Sequence, residues 1–382
     1  MTAAFYIQIM KRGGIVSRYR YMAMNKNGNM TTQVVVQMDL SNSTSEKVEM
    51  AYQIIFFVFG TPLNAVALVQ STRLFRRSRD GAERLVKMGQ QLLIAHLLVL
   101  CIYCIWRTYW FMNVVWTQGD LLCKIYSVVS ALPFHLWSNM VAAIGVDMLC
   151  CITSPLSSYR TSATRVTWLI AISWIAALLC SLPMAIFRGA VRIPGTDLEQ
   201  CYPVIDRYSH EVLYLFNVFH VITTFYVPLI IVVVCYTLIG LSLRRQMAER
   251  KNLHDENRHA MMCATHIRFV RASVTIIATF ILTWMPYQVL ALLRILCSQG
   301  STCEQTVSKL NWLQAVIIAS TCINPFIYKF GSWRTHKETG RYSTSERFVN
   351  TASNCRRAEK NSTASTPLLT VDNVPIHIVK IS

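Results

Sequence analysis

The side chains that could do chemistry are few along this chain of 382 residues, and they occupy distinctive places. His96 and Asp147 lie inside long apolar runs, where an ionisable group is costly and usually functional. These runs hold no paired carboxylates and no nucleophile with a neighbouring base, so we do not expect an enzyme. Cysteines inside the runs, such as Cys101 and Cys104, usually behave as small apolar residues. We therefore expect no zinc site and no cofactor.

The elements that must position these side chains are seven long apolar segments. Hydrophobic residues make up 53% of the chain and charged residues 15%, whereas soluble globular proteins carry about 25% charged residues. Each segment has the ~20 residues that cross ~30 Å of hydrocarbon, and each must be helical because lipid offers the backbone no partners. The sequence predicts an all-α membrane protein with seven transmembrane helices at about 49–72, 88–111, 121–152, 166–187, 211–243, 270–296 and 306–330.

The charges of the connections orient this bundle. Basic residues concentrate in the first and fifth connections, whereas the second and sixth are nearly neutral. The positive-inside rule places the odd-numbered connections and the C-terminus in the cytosol, and the N-terminus outside. The net charge of +18 suits a cytosolic face against anionic lipid, so we expect membrane lipid as a partner and no nucleic acid. These observations predict a multi-pass protein of the plasma membrane.

Three regions follow from this arrangement. Residues 1–47 form an extracellular tail, residues 48–330 the seven-transmembrane domain, and residues 331–382 a cytoplasmic tail predicted to be disordered. Sequons at Asn29 and Asn42 predict glycosylation of the outer tail. The N-terminus lacks a signal-peptide pattern, so the first segment should direct insertion. Phosphorylation could turn the Ser- and Thr-rich inner tail into a partner-binding surface, or the tail is simply solvated.

Four cysteines lie on the predicted outer side of the bundle. Cys123 begins the third segment and Cys201 lies in the long fourth connection, both on the oxidising side of the membrane. A disulfide between them would fix that connection over the mouth of the bundle. Cys297 and Cys303 flank the sixth connection and either form a second, local bridge or remain free.

Each of the last four segments contains a proline, namely Pro183, Pro228, Pro286 and Pro325. Proline removes a backbone hydrogen bond and kinks a helix, and neighbouring helices can satisfy the freed carbonyl. Several kinks in one bundle indicate two packings of similar energy, as a switch requires. The alternative for any one of them is a local packing irregularity.

Further motifs lie in a fixed order across the segments. They are Gly60 and Asn64 in the first, Trp174 in the fourth, Pro228 and Tyr236 in the fifth, Trp284-Met285-Pro286-Tyr287 in the sixth, and Asn324-Pro325-Phe326-Ile327-Tyr328 in the seventh. With them, the stretch from about 50 to 330 resembles a rhodopsin-like (class A) G-protein-coupled receptor. Thr283 replaces the cysteine that usually precedes the tryptophan of the sixth-segment motif.

Three stretches narrow the resemblance. They are Trp116-Thr117-Gln118-Gly119-Asp120-Leu121-Leu122-Cys123-Lys124, Asp147-Met148-Leu149-Cys150-Cys151-Ile152-Thr153-Ser154-Pro155-Leu156 and Trp284-Met285-Pro286-Tyr287-Gln288-Val289-Leu290. They resemble receptors for gonadotropin-releasing hormone and for its arthropod relative, adipokinetic hormone. Vasopressin and oxytocin receptors share much of this pattern, and the loose fit suggests a divergent invertebrate member.

The resemblance implies a receptor that binds a peptide outside and activates a heterotrimeric G protein inside, with arrestin as a further partner of the C-terminal tail. It implies that Trp284 senses the ligand, that the prolines of the last two segments permit bending, and that two tyrosines stabilise the open inner end. The activation switch would then comprise Trp284, Pro286, Asn324, Pro325, Tyr328 and Tyr236. Asp147 and Met148 would face the G protein.

The inner end of the third segment departs from the family pattern. Met148 stands where the class carries an arginine that pairs with the preceding acid and then contacts the G protein. Methionine can make neither contact. We expect Asp147 to lie at a polar rim within reach of water, and either coupling is altered or another basic residue substitutes.

The centre of the bundle departs as well. His96 stands where the class carries a sodium-binding acid, and Trp137 occupies the neighbouring position of the third segment. These residues remove the anionic ligand and fill the space, so we predict no sodium site. His96 should find a partner inside the bundle, and Asn324 is the residue we expect, in a structural hydrogen bond or a titrating switch.

The resemblance places the ligand pocket at the outer end of the bundle, with lining residues Trp106, Arg107, Trp110, Ser130, Tyr287 and Gln288. Ser130 stands where amine receptors need a carboxylate, and Ile318 where a retinal protein needs a lysine. Aromatic side chains at this rim suit a short peptide, although they also form ordinary interfacial belts. Arg107 replaces an acid of the family, so a ligand with a carboxylate becomes possible.

Two other functions remain as alternatives. A peptide receptor that couples weakly or not at all is motivated by Met148, and a vasopressin- or oxytocin-like receptor by the shared motifs. A transporter should show internal repeats and paired intramembrane charges, and neither is evident in the sequence.

Overall fold

Long apolar helices make up most of the structure. The computed structural model describes residues 16–24, 30–38, 44–77, 83–113, 115–153, 162–193, 197–204, 207–250, 256–297 and 302–326. Within these residues, six helices are long and apolar enough to cross a membrane, and a shorter apolar helix, Gln314–Phe326, belongs to the seventh predicted segment. We call the helices of the seven segments the first to seventh spans.

The first three spans extend beyond their apolar segments at both ends. The first span is Thr44–Arg77. The second consists of Glu83–Leu98, a π-helical turn at Val99–Cys104 and Ile105–Asn113. The third span is Gly119–Thr153, which has a long buried face. Polar residues at the ends of the spans therefore continue the helices past the hydrocarbon.

The fourth and fifth spans are interrupted. The fourth consists of Ser162–Ser181 and Pro183–Phe187, separated by a turn at Leu182. The fifth consists of His210–Val221, a π-helical turn at Ile222–Tyr226 and Val227–Arg250. In both spans the irregularity directly precedes or closely precedes a proline, Pro183 or Pro228, which cannot donate a helical hydrogen bond.

The sixth and seventh spans complete the described helices. The sixth span is Glu256–Leu296, and Pro286 lies inside it without interrupting the helix. A short helix at Thr302–Lys309 and a 3-10 turn at Asn311–Leu313 precede Gln314–Phe326. The predicted start of the seventh segment at residue 306 was therefore too early, since its polar beginning forms a separate short helix.

Two antiparallel hairpins accompany the helices, and the sequence did not predict them. Strands β1 (Val16–Met24) and β2 (Met30–Met38) pair within the N-terminal region. Strands β3 (Arg188–Arg192) and β4 (Glu199–Pro203) pair in the fourth connection. The second hairpin carries Cys201 and follows the fourth span directly, so it belongs to the outer end of the bundle.

The third span lies at the centre of the apolar core. Its buried residues pack with those of the second, fifth and sixth spans, as shown by Met140, Leu92, Phe225 and Trp284. The first span instead exposes large apolar side chains such as Phe59, as a lipid-facing helix does. This central position brings side chains of the third span against several other spans.

Gly60 allows the first span to approach the seventh. A Cβ atom at this position would lie 2.8 Å from Sγ of Cys322 and 3.0 Å from a methyl group of Leu100. Asn64, one turn later, donates to the carbonyl oxygens of Gly60 at 2.8 Å and Thr321 at 2.9 Å. Gly60 and Asn64, the motif of the first segment, therefore hold the first span against the seventh near the centre of the bundle.

Candidate functional site

The β3–β4 hairpin is fixed at the outer end of the bundle. The structure joins Cys123 of the third span to Cys201 of β4 by a disulfide. The carboxylate of Asp120 accepts a hydrogen bond from the backbone of Ala190 at 3.0 Å. A Cβ atom on Gly189 would lie 2.6 Å from the same carboxylate, so a larger residue would force the side chain of Asp120 to move. The hairpin is thus held at two points.

A second disulfide closes the connection between the sixth and seventh spans. It joins Cys297 to Cys303, the pair for which the sequence left bridged and free forms open. Outside the two bridges, the free thiols that the structure describes include Cys101 and Cys104 in the second span.

Aromatic side chains surround the first disulfide. Trp106 stacks on Trp116 and Tyr126, with ring centroids 6.3 and 5.8 Å apart. Trp110 is buried, and its indole nitrogen donates to the side chain of Gln200 in β4 at 2.9 Å. The predicted pocket residue Trp110 therefore supports the hairpin from below, while the partly buried Trp106 remains at the rim.

Arg107 is already paired with a carboxylate. Its Nε donates to Glu49 of the first span at 3.0 Å, and its guanidinium lies 4.3 Å from the ring centroid of Phe111. Glu49 also accepts a hydrogen bond from the buried side chain of Gln53 at 3.0 Å. The positive charge that the sequence offered to a ligand is balanced within the protein, which weakens Arg107 as an anion site.

Arg188 provides a positive charge that sequence reasoning missed. Its Nη2 donates to the carbonyl of Cys201 at 3.2 Å, whereas its buried Nε has no hydrogen-bond partner among the described residues. No described carboxylate lies within ion-pair distance of it. Burial lowers the pKa of this guanidinium from its ordinary value. The sequence signal that could have identified Arg188 was its position directly after the fourth apolar segment.

The other predicted pocket residues lie in the third and sixth spans. Ser130 of the third span donates to the carbonyl of Ser127 at 3.2 Å. Tyr287 of the sixth span is partly buried and packs against the central core, and Gln288 is buried. Their roles in ligand binding stay predictions.

The centre of the bundle contains a neutral hydrogen-bond network. His96 is fully buried, with Nδ1 lying 3.2 Å from Oδ1 of Asn64 and Nε2 lying 3.2 Å from Nδ2 of Asn324. Because Asn64 uses its amide to donate to two carbonyls, its oxygen accepts, so Nδ1 of His96 donates and Nε2 accepts. The expected contact with Asn324 is present, and a neutral imidazole satisfies both amides.

Trp137 connects this network to the sixth span. Its ring lies 4.3 Å from that of His96 and 5.1 Å from that of Trp284, edge to face in both cases. Trp284 also contacts Phe280 at 4.9 Å and Phe134 at 6.0 Å between centroids. The indole nitrogen of Trp284 is buried with no hydrogen-bond partner among the described residues. Packing alone therefore fixes its rotamer.

The inner end of the third span holds a charged cluster. Arg165 of the fourth span donates to Oδ1 of Asp147 from Nε at 2.9 Å and from Nη2 at 2.7 Å. Arg84 of the second span lies 3.7 Å from Oδ2 and contacts Cys151. Asp147 is fully buried, so the expectation that water reaches it was wrong. Two arginines from neighbouring spans cover the carboxylate instead.

Met148 is a packing residue in this structure. It is 4% exposed and belongs to the same apolar cluster as Ile152, Val166 and Ile239, against which Tyr236 is partly buried. Of the two residues predicted to face a G protein, Asp147 is therefore enclosed by arginines and Met148 by apolar side chains. Another basic residue, Arg165, substitutes for the missing partner of Asp147.

Some predicted features lie outside the described residues. They are the sequons at Asn29 and Asn42, the switch residue Tyr328 and the tail at 331–382. Pro325 lies within the described part of the seventh span and is buried.

Comparison with known proteins identifies the family. The model of the 7 transmembrane receptor (rhodopsin family) matches residues 89–328, which is more than half of the chain. The chain belongs to this family. This receptor is consequently a multi-pass protein of the plasma membrane with seven spans, and its family is a class of signalling receptors without enzymatic activity.

Individual relatives are distant. The receptor is 25% identical to the gonadotropin-releasing hormone II receptor of Clarias gariepinus over 255 residues, which are 65% of this chain and 66% of the relative. It is 24% identical to the type-2 angiotensin II receptor of Homo sapiens over 326 residues, 83% of this chain and 85% of the relative. It is 27% identical to the G-protein coupled receptor daf-38 of Caenorhabditis elegans over 209 residues, 51% of this chain and 49% of the relative. The chain thus spans about half to two thirds of the length of the first and third of these relatives.

Proposed function

We propose that this receptor binds an extracellular peptide of the gonadotropin-releasing hormone or adipokinetic hormone type and activates a heterotrimeric G protein. Two of its relatives are named as receptors for peptide hormones. The three stretches that resemble the gonadotropin-releasing hormone group favour this type over the angiotensin type. A vasopressin- or oxytocin-like ligand is the second choice, because those receptors share much of the same pattern.

The observation that carries the proposal is Arg188, the first residue of the disulfide-fixed hairpin, which has no ion-pair partner among the described residues. The outer end of the bundle offers aromatic surface at Trp106 and the partly buried Arg188, whose Nε has no hydrogen-bond partner among the described residues. A peptide supplies both matching groups, since it has apolar side chains and a carboxylate or backbone carbonyls. An acidic side chain or a free C-terminus would form a charge-assisted hydrogen bond with Arg188.

Signal transmission follows from two packings of one bundle. A ligand that contacts the outer ends of the spans stabilises one packing at the expense of the other. Trp284 contacts Trp137 and so joins ligand-dependent movement of the sixth span to the His96 network. In our proposal Pro286, Pro325 and Tyr328 permit and hold the open inner end, and the tail at 331–382 recruits arrestin after phosphorylation.

Coupling through an altered inner end is part of the proposal. The Asp147 cluster joins the second, third and fourth spans, whereas the sixth span contributes no ion-pair partner to it among the described residues. Opening of the sixth span can therefore proceed without breaking these ion pairs. A second candidate function, a receptor that binds peptide without coupling, is favoured by the apolar Met148.

A second-messenger assay in cells against a panel of neuropeptides tests this function. The panel should contain peptides of the gonadotropin-releasing hormone, adipokinetic hormone, vasopressin and angiotensin types. We expect a response to the first or second group, and Arg188→Gln should raise the half-maximal concentration about 10- to 100-fold. Arg107→Gln is the matched control, because Glu49 already balances that charge, and should have the smaller effect.

The same assay with Met148→Arg separates coupling from non-coupling. A clear wild-type response eliminates the non-coupling receptor. Peptide binding to a silent wild type, together with a response from Met148→Arg, would instead establish it. A response to vasopressin-type peptides alone would contradict the proposed ligand type while leaving the receptor function intact.

A further inference from the structure

Two histidines meet between the third and fifth spans, away from the His96 network. Nε2 of His135 lies 3.3 Å from Nδ1 of His220, and the ring centroids are 5.1 Å apart with an interplanar angle of 77°. His135 is fully buried, whereas His220 is only partly buried. The pair plays no part in the switch or the ligand contacts described above.

The two distances match a shared metal ion. Histidine nitrogens bind Zn²⁺ at about 2.0–2.1 Å, and a tetrahedral angle then places the two nitrogens about 3.3–3.4 Å apart. The same arrangement places the two ring centroids about 5.2 Å apart, because each lies about 1.2 Å behind its nitrogen. Both observed separations agree with these values. The lone pairs of the two rings can thus converge on one point.

A hydroxyl group lies beside the ring of His135. Oγ1 of Thr224 lies 3.2 Å from Nε2 and 3.5 Å from Nδ1 of His135, and it donates its proton to the carbonyl of His220 at 2.6 Å. The hydroxyl therefore packs against the imidazole and leaves the lone pair of Nε2 open towards His220. The π-helical turn at Ile222–Tyr226 positions Thr224 beside His135, and such turns occur frequently at functional sites.

The electrostatic surroundings limit the affinity of such a site. Arg188 acts on His220 as a nearby positive charge. The described residues contain no cluster of three or more His, Cys, Asp and Glu side chains that could enclose a metal ion. The protein therefore supplies two strong ligands, and water or a group of a bound ligand must fill the remaining positions.

We propose that His135 Nε2 and His220 Nδ1 form a two-histidine binding site for Zn²⁺ or a similar borderline transition metal. This site goes against the expectation from the sequence that the receptor has no metal site. Binding requires both nitrogens as acceptors, so one imidazole moves its proton to its other ring nitrogen and no proton is lost. The ion would join the third span to the fifth just before its π-helical turn.

Titration of the purified receptor, prepared without a polyhistidine tag, tests the site. Thermal unfolding in detergent is followed at increasing Zn²⁺, with Mg²⁺ as the control ion. We expect Zn²⁺ and not Mg²⁺ to raise the unfolding temperature. His220→Asn should weaken the Zn²⁺ dependence at least about tenfold, since the loss of groups that merely orient metal ligands already costs 10- to 100-fold.

Graded variants distinguish this site from binding elsewhere. Thr224→Val should weaken Zn²⁺ binding less than His220→Asn does, and Arg188→Gln should strengthen it by removing a nearby positive charge. His220→Asn is the decisive variant for the Zn²⁺ titration, because His220 is only partly buried and its loss should leave the fold intact. A Co²⁺ titration gives a second readout, since the visible absorption of four-coordinate Co²⁺ should vanish in His220→Asn.

The opposite results would overturn the proposal. Equal Zn²⁺ dependence in wild type, His135→Asn and His220→Asn would show that the ion binds at other groups and that the two histidines form a hydrogen-bonded pair only. Absence of any Zn²⁺ effect on the wild type would do the same. Neither result would affect the proposed peptide receptor.

Discussion

The inner end and the centre of the bundle each lack a residue that the family usually carries, but the loss is compensated differently in the two places. At the inner end the acid, Asp147, is kept and its neighbouring arginine is lost, and Arg165 and Arg84 take over the pairing. At the centre the acid itself is lost, and a neutral His96 bonds two asparagines. Negative charge is thus retained where cations can reach it and removed where they cannot.

Geometry explains the difference. Arg165 and Arg84 lie at the cytosolic ends of their spans, where their side chains remain 17% and 21% exposed while their guanidinium groups reach the buried carboxylate. Long basic side chains can cross apolar surface in this way and keep contact with water. No such route exists at His96, which is surrounded by other buried side chains. A carboxylate there would be an unpaired buried charge.

Removal of Arg165 should have the largest effect on stability. Arg165→Ala leaves the buried carboxylate of Asp147 with one distant cation, and the loss of one partner of a buried ion pair costs about 3–5 kcal/mol. Thermal unfolding of the purified receptor measures it. Arg165→Lys is the control and should lose less, because it keeps the charge but not the forked geometry. If Arg165→Ala were as stable as the wild type, the ion pair between Arg165 and Asp147 would not stabilise the inner end, and this prediction would be wrong.

Removal of His96 should cost less than removal of Arg165. His96→Ala leaves Oδ1 of Asn64 and Nδ2 of Asn324 without their partner, and each unsatisfied buried group costs about 1–3 kcal/mol. We expect a loss of about 2–4 kcal/mol in the same unfolding measurement. His96→Asp should be at least as damaging, since it restores a charge without a cation. Stabilisation by Asp would contradict the neutral network.

Arg84 should contribute less than Arg165. Its nitrogen lies 3.7 Å from Asp147, beyond the range of a strong hydrogen bond, and its side chain is partly exposed. Arg84→Ala should therefore cost about 0.5–1 kcal/mol in thermal unfolding. An effect equal to that of Arg165→Ala would show that the two arginines share the carboxylate evenly.

Substitution of Met148 by a similar apolar residue should have only a small effect on stability. Met148→Leu keeps the volume in the apolar cluster, and such exchanges usually cost less than about 1.5 kcal/mol. It should also leave the response to peptide unchanged, since we assign Met148 a packing role. A loss of signalling at wild-type stability would show instead that the thioether contacts the G protein.

The features that sequence could predict are those that depend on one segment at a time. The apolar segments predicted the helices, the loop charges predicted the orientation, and the outer placement of Cys123 and Cys201 predicted their disulfide. The His96–Asn324 contact was predicted because a polar, ionisable side chain in an apolar helix needs a partner inside the bundle. These features follow from the apolar lipid environment, the length of each apolar segment and the family motifs.

The features that sequence missed depend on which side chains meet between spans. Arg165 lies 18 residues from Asp147 and Glu49 lies 58 residues from Arg107, so neither pairing has a local signature. The π-helical turn at Val99–Cys104 contains no proline and leaves no mark in the composition. The β3–β4 hairpin follows from packing over the mouth of the bundle. Only the folded arrangement reveals such features.

A double-mutant cycle on Asp147 and Arg165 tests the central claim that an arginine of the fourth span replaces the missing arginine of the third. Thermal unfolding of wild type, Asp147→Asn, Arg165→Gln and the double variant gives the coupling energy directly. We predict about 2–3 kcal/mol of coupling, with the double variant more stable than the sum of the single losses implies. Additive losses, and hence a coupling near zero, would contradict the account.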